Sequence, residues 1–114
     1  MIKVSHAVGA LICLDAVQSV PHVLPIVDAL GADALACSTY KICGPHVGVL
    51  WAHRDILADL SPYKVRPSKD VTPYRWVQGT LPFDLLAGVE AAVEYLADLS
   101  PMTGTRREHL VHAD

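Results

Sequence analysis

Two short apolar runs separated by one helical segment constrain the fold of this chain most. The first run covers residues 10–15 and ends at Asp15, and the second covers residues 34–40 and leads to Lys41. Runs of this length are typical of buried strands, and the intervening segment 24–31 predicts a short helix closed by glycine. A strand, helix and strand of this size form a right-handed parallel crossover, so both strands end at the same edge of one sheet.

Three polar side chains follow the two predicted strands at that edge. Asp15 ends the first run, Gln18 comes three residues later, and Lys41 directly follows the second run. Open α/β sheets bind their ligands at this edge. Each residue alone has an ordinary explanation, because lysine there is usually a solvated boundary residue and aspartate a turn or cap residue. The combination of the three groups indicates a binding site.

The chemistry of pyridoxal phosphate needs these three groups together. A lysine amine forms a Schiff base with the aldehyde of the cofactor. A carboxylate beside the pyridine nitrogen keeps it protonated, which lets the ring accept electrons. A hydrogen-bond donor at the phenolate oxygen completes the set. Lys41, Asp15 and Gln18 match these roles in that order.

Three stretches around these residues resemble class V aminotransferases, which are fold type I pyridoxal-phosphate enzymes, and among them the cysteine desulfurase-like proteins most. The stretches are LDAVQSVPH (14–22), CSTYK (37–41) and GPHVGVL (44–50). The resemblance implies an α/β fold that forms part of the mixed, mainly parallel sheet of the family's large domain, flanked by helices. Residues 1–100 would be a partial cofactor-binding large domain, and residues 101–114 would start the connection to a missing C-terminal domain.

The resemblance also implies a role for each matching residue of the two polar segments. Lys41 would be the catalytic Schiff-base lysine, Asp15 the partner of the pyridine nitrogen and Gln18 the ligand of the ring oxygen. Val17 would pack against one face of the ring.

Further residues match positions that bind the cofactor phosphate in the family. Ser38 and Tyr40 stand where the family commonly has serine and histidine, and tyrosine keeps a donor but gives up the charge that histidine can carry. Thr80, after Gly79, matches a residue that reaches the phosphate of the neighbouring subunit's cofactor in similar enzymes. The resemblance therefore implies a homodimer, although Leu81 and the proline after it stand where relatives often carry polar residues.

Two hypotheses about function remain open. In the first, the chain is the lysine-bearing segment of an enzyme that either removes sulfur from cysteine or transaminates an amino acid. In the second, it is a catalytically inactive truncated remnant, or an interaction module, that retains the pattern of the fold. Family members run to several hundred residues and this chain has 114. We therefore expect a fragment that is inactive on its own.

Composition and charge indicate which partners and which location to expect for the protein. Apolar residues make up 52% of the chain and charged residues 18%, as expected of a piece of a larger buried sheet. The net charge of -3 gives no electrostatic reason to expect nucleic-acid binding. No apolar run reaches membrane-spanning length and the first residues lack the apolar core of a signal peptide, so we expect a cytoplasmic protein.

The cysteines and histidines do not predict a metal site. The three cysteines lack a Cys-x-x-Cys spacing, which argues against a zinc module or a disulfide framework. Cys13 and Cys37 fall in predicted strands, where we expect them to behave as small buried apolar residues. His109 and His112 are three residues apart in a tail that begins a predicted helix, and solvation is the favoured explanation for them.

The remaining pattern predicts three more elements. Residues 46–52 form a third strand, which follows Lys41 too closely for a helical crossover and therefore runs antiparallel to its neighbour. Residues 54–60 form a short helix, and residues 83–99 form an amphipathic helix that faces the core. The loop over residues 61–80 is longer than a packed connection needs.

Overall fold

The computed structural model describes residues 1–99. Within these residues the helices are α1 (Ile2–Ala7), α2 (Val27–Leu30), α3 (Arg54–Asp59) and α4 (Phe83–Leu99), and the strands are β1 (Cys13–Asp15), β2 (Ala34–Ser38) and β3 (Gly48–Ala52). Short 3-10 helices cover Thr39–Ile42 and Tyr74–Trp76. The predicted helix of the tail, with His109 and His112, lies outside the described residues.

The strands form one mixed sheet in the order β1-β2-β3. β1 and β2 are parallel, and Asp15 is paired with Ala36. The segment between them contains α2, which ends at Gly31 in the left-handed conformation, with φ 68°. The predicted order of strand, glycine-closed helix and parallel strand is therefore confirmed.

The third strand runs antiparallel to β2. The N–H of Thr39 donates to the carbonyl of Val47 at 2.9 Å, and the N–H of His53 donates to the carbonyl of Asp33 at 3.1 Å. Residue numbers rise along β2 while they fall along β3, which is the pattern of an antiparallel ladder. The α/β fold with a mixed sheet and flanking helices is confirmed.

Most regular elements are shorter than the patterns that predict them. Pro25 disfavours the helical conformation of Leu24, and Ile26 has a non-helical backbone with ψ 89°, so α2 begins only at Val27. The 3-10 helix begins at Thr39, so Tyr40 lies outside β2 although its apolar run includes it. α4 has the predicted bounds. α1 was not predicted.

The buried core of the described residues is small. Its members are Ala16, Ala32, Leu35, Thr39, Ala92 and Ala97. Cys37 is half-buried, but Cys13 is exposed, so the prediction of a buried Cys13 is wrong. The reason is that β1 is an edge strand of the sheet, in which Leu14 alone is even half-buried.

The chain forms two compact units. Unit 1 contains residues 1–37 and 49–81, and unit 2 contains residues 38–48 together with α4. In unit 2, α4 approaches Pro45 closely, since a Cβ placed on Gly88 would lie 3.2 Å from the proline Cγ. Ala92 and Ala97 of α4 are buried, whereas Leu86 is exposed. Of the predicted apolar stripe, Ala92 is therefore buried and Leu86 is exposed, while the other members are half-buried: Leu85, Val89, Val93 and Leu96.

Candidate active site

Asp15 lies at the carboxyl end of β1, where its side chain is exposed. Its Oδ1 accepts a hydrogen bond of 3.0 Å from the N–H of Val17. An aspartate that bonds the backbone two residues later closes an Asx turn, which restrains the carboxylate. Val17 is half-buried and Gln18 is exposed in the turn that follows. These three predicted site residues lie together in unit 1.

Ala16 anchors this turn to the sheet. It is 4% exposed, and its N–H donates to the carbonyl of Ala36 at 2.8 Å. Its own carbonyl accepts hydrogen bonds from Ser19 at 3.1 Å and Val20 at 3.0 Å. The backbone on both sides of Ala16 is therefore fixed, and with it the position of the neighbouring carboxylate.

A cavity of about 550 Å³ lies beside β1 within unit 1. Its lining includes Leu14, Leu24 and Leu35, and its polar side chains are Asp15 and Ser19. A phosphate group needs several donors or a cation. A lining with one hydroxyl and one carboxylate does not supply them, so we do not place the phosphate group of a ligand in this cavity.

The second group of predicted site residues lies in the lysine loop, which we define as residues 39–47. Thr39 begins it and is 2% exposed. The Thr39 hydroxyl donates to the carbonyl of Pro45 at 2.5 Å. The Thr39 carbonyl accepts a hydrogen bond of 2.9 Å from the N–H of Gly44. With the Thr39–Val47 backbone bond, these contacts tie both ends of the loop to one buried residue.

The turn of the lysine loop depends on a glycine. A Cβ on Gly44 would lie 3.0 Å from the Cβ and from the carbonyl oxygen of Thr39. Because one of these atoms belongs to the backbone, the loop itself would have to shift by a few tenths of an ångström to admit a side chain. Cys43, directly before it, has φ 64°, a left-handed backbone conformation that residues other than glycine rarely adopt. The loop therefore has a restricted conformation.

Lys41 lies in the middle of the 3-10 helix and is half-buried. Its Nζ is 5.2 Å from the centroid of the Tyr40 ring, a distance at which an ammonium group is attracted to an aromatic face. The Tyr40 ring stacks on His46 with centroids 4.4 Å apart and an angle of 4° between the planes. Ser38 ends β2 directly before the loop and is half-buried. Amine, phenol, imidazole and hydroxyl groups thus gather in unit 2.

The structure places the predicted residues in these two groups. Asp15, Val17 and Gln18 share one turn of unit 1, while Ser38, Tyr40 and Lys41 are consecutive or nearly so in unit 2. Thr80 is exposed in a separate segment of unit 1. The convergence of all of them on one cofactor stays a prediction.

Sequence reasoning missed two residues of the lysine loop. Thr39 falls inside an apolar run, and the pattern assigns it only to a strand. His46 follows Gly44 and Pro45, and the motif GPHVGVL gives it no role of its own. The signal that could have found His46 is the presence of one aromatic ring on each side of a glycine-proline turn, which can bring the two rings into contact.

Thiols and metal ligands add little to this site. Partial burial raises the pKa of the Cys37 thiol, which keeps it protonated and weakly nucleophilic. Over residues 1–99, no group of three or more histidine, cysteine, aspartate or glutamate side chains is placed to hold a metal ion. In the same residues, no helix is long and apolar enough to span a membrane.

The family that the motifs indicate is also the family that nearly the whole chain matches. The family model of class-V aminotransferases matches residues 1–113. The chain belongs to the class-V aminotransferase family. Members of this family, including the cysteine desulfurases, are pyridoxal-phosphate enzymes.

Two relatives of this class-V chain carry the name cysteine desulfurase, one of them as a probable member. It is 33% identical to a probable cysteine desulfurase of Streptomyces coelicolor over 96% of its own length and 29% of that protein. It is 34% identical to a cysteine desulfurase of Haloferax volcanii over 94% of its length and 28% of that protein. The chain therefore spans less than a third of the curated relatives it matches.

A solved structure gives the same result for the fold. The chain superposes on the cysteine desulfurase CsdA of Escherichia coli with a TM-score of 0.76 and 28% identity. The match covers 87% of this chain and 28% of that one. The resemblance to cysteine desulfurase-like proteins is confirmed by sequence and by fold.

Proposed function

We propose that this chain is the lysine-bearing part of a pyridoxal-phosphate enzyme, with Lys41 as its Schiff-base lysine. The observation that carries the proposal is the position of Lys41. It lies in a loop tied to one buried threonine, directly after a parallel strand, in a chain of the class-V family. A lysine in a restrained loop is better suited to hold a bound aldehyde than one on a mobile surface segment.

The functional groups of the candidate residues suit this cofactor. Lys41 offers an amine for the aldehyde, Asp15 a carboxylate for the pyridine nitrogen and Gln18 an amide for the ring oxygen. Ser38 and Tyr40 offer hydroxyl donors for the phosphate. When bound, the cofactor would supply an electron-accepting ring to the substrate's amine-bearing carbon.

The chain's own residues would prepare the site for that chemistry. The Asx turn holds the Asp15 carboxylate at the end of β1, so a cationic ring nitrogen would meet a fixed negative charge. Val17, half-buried in the same turn, would offer an apolar surface to the ring. The hydrogen bonds of Thr39 hold the lysine loop closed, so the Lys41 amine starts from a restricted set of positions.

We extend the proposal to substrate and assembly. The Streptomyces coelicolor relative is called a probable cysteine desulfurase and the Haloferax volcanii relative a cysteine desulfurase, so cysteine is the proposed amino-acid substrate. Removal of its sulfur is favoured over transamination on the same ground. Thr80 is proposed to serve the cofactor of a second copy, which makes a homodimer part of the proposal.

Titration of the 114-residue chain with pyridoxal phosphate tests the role of Lys41. We expect the visible absorbance of a Schiff base to develop with one equivalent of cofactor, and to be lost in Lys41→Ala. Lys69→Ala is the matched control, because the Lys69 Nζ lies 5.4 Å from the Tyr74 ring centroid, much like the Lys41–Tyr40 pair. Lys69 lies outside the lysine loop.

Either of two results would contradict the proposal. Equal absorbance in Lys41→Ala and Lys69→Ala would mean that the cofactor reacts with lysines at random. No absorbance in the unmutated chain would favour the alternative of a catalytically inactive remnant or interaction module.

A further inference from the structure

We propose that His46 is a positioning residue that orients the Tyr40 hydroxyl toward the phosphate of the bound cofactor. This inference rests on the proposed function and deepens it, because it assigns a second residue to phosphate recognition. Neither the motifs nor the family resemblance gives His46 a role. The contact between the two rings is the observation that leads to it.

The geometry of the ring pair is well defined. The Tyr40 and His46 centroids are 4.4 Å apart and the ring planes differ by only 4°. Parallel rings at this distance form a favourable stacking contact. The Tyr40 side chain is 44% exposed, so burial alone does not decide the direction of its hydroxyl. The stacking contact with His46 can decide this direction, because it restrains the Tyr40 ring.

The backbone under the ring pair is held at both ends. Thr39, which precedes Tyr40, bonds through its hydroxyl to the carbonyl of Pro45, which precedes His46. The N–H of Val47, which follows His46, donates to the same carbonyl at 2.8 Å. Because these bonds link the neighbours of both aromatic residues, the rings are brought face to face by the loop itself.

The chemistry of the pair explains why a second ring is useful here. Tyr40 stands where the family commonly has histidine, so this chain offers a phenol instead of an imidazole to the phosphate. A phenol has one donor, whose direction follows the ring, whereas phosphate oxygens are acceptors. Fixing the ring with His46 therefore fixes the only donor that the Tyr40 side chain has.

The Lys41 amine makes it possible to separate this role from general support of the site. Its Nζ is 5.2 Å from the Tyr40 centroid, so a general collapse of the lysine loop would disturb covalent capture of any aldehyde. A positioning role toward phosphate would instead affect only a ligand that carries phosphate. Pyridoxal and pyridoxal phosphate differ in this group and share the aldehyde.

The experiment compares the affinity of both aldehydes for the 114-residue chain and for four variants, with Lys41 attachment followed by absorbance. The variants are His46→Ala, His46→Phe, Tyr40→Phe and the double variant Tyr40→Phe/His46→Ala. His46→Ala should weaken pyridoxal phosphate binding roughly 2- to 12-fold, the size of one aromatic stacking contact, and leave pyridoxal binding unchanged. His46→Phe keeps a ring and should restore the affinity.

The double variant tests whether His46 acts through Tyr40. If it does, the double variant should bind pyridoxal phosphate no more weakly than Tyr40→Phe alone. An equal loss for both aldehydes in His46→Ala, no loss for either, or additive losses in the double variant would overturn the inference. These outcomes leave Lys41 attachment in the unmutated chain intact, whereas failure of the proposed function would abolish it there.

Discussion

Thr39 is the residue on which the lysine loop depends most. Replacing it with valine keeps its shape but removes the hydroxyl, so the half-buried carbonyl of Pro45 loses one of its two donors and keeps the N–H of Val47. We expect Thr39→Val to lower the free energy of unfolding by about 0.5–1.5 kcal/mol, the net value of one hydrogen bond, measured by urea denaturation. Thr80→Val, at an exposed threonine, should change it by less than about 0.5 kcal/mol. Similar effects of the two substitutions would contradict the role of the Thr39 hydroxyl.

Gly44 is the second residue that the loop requires. Gly44→Ala would place a Cβ 3.0 Å from the Thr39 carbonyl oxygen, and the closed loop leaves little room to relax. We expect a loss of about 1–3 kcal/mol in unfolding free energy. Gly79→Ala is the matched control, because a Cβ there meets no atom within 4 Å. The account of the turn would fail if both variants were equally stable.

Asp33 lies directly before β2, and its carboxylate bonds to α1 and to the residue before β1. Its Oδ2 accepts a hydrogen bond of 2.6 Å from the N–H of Ile12 and lies 2.9 Å from Nε2 of His6 in α1. The bond from Ile12 first, and then that from His6, lowers the pKa of the Asp33 carboxyl below its ordinary value of 3.8. The ionised form is therefore favoured by folding.

The sign of this shift sets a prediction about pH. Because the pKa is lower in the folded chain, the stabilising contribution of Asp33 is complete above about pH 4 and is lost as the pH falls through the folded value. Stability of the unmutated chain should therefore fall more steeply below pH 4 than that of Asp33→Asn. Chemical denaturation at several pH values measures this. Parallel curves for the two proteins would be the contrary result, and Asp59→Asn in α3 serves as control.

Some elements could be predicted from the sequence because their signal is local. α4 has an apolar stripe at helical spacing, and the two runs joined by a glycine-closed segment indicate a parallel crossover. α1 has no such stripe, and its contact to the sheet joins residues 27 apart in sequence, His6 and Asp33. Tyr40 continues an apolar run but leaves the strand, because the hydrogen bonds of Thr39 start a tight turn there.

At the scale of the whole molecule, the family and the candidate residues could be predicted from the sequence. The residues that hold the candidate residues in place could not be predicted in the same way. Asp15 and Lys41 can be found because rare polar groups end apolar runs. Thr39 could not, because its importance arises from hydrogen bonds made when the loop closes. His46 has only an indirect signal, the pair of aromatic rings on either side of a glycine-proline turn. The predicted division into residues 1–100 and 101–114 stays a prediction, since residues 100–114 lie outside the described part.

Trapping the cofactor on the chain tests the central claim most directly. The 114-residue chain is mixed with pyridoxal phosphate, reduced with borohydride and digested, and the peptides are mapped by mass spectrometry. The account predicts a label confined to Lys41 and absent from Lys41→Ala. A label spread over Lys3, Lys64 and Lys69, or no label at all, would contradict it.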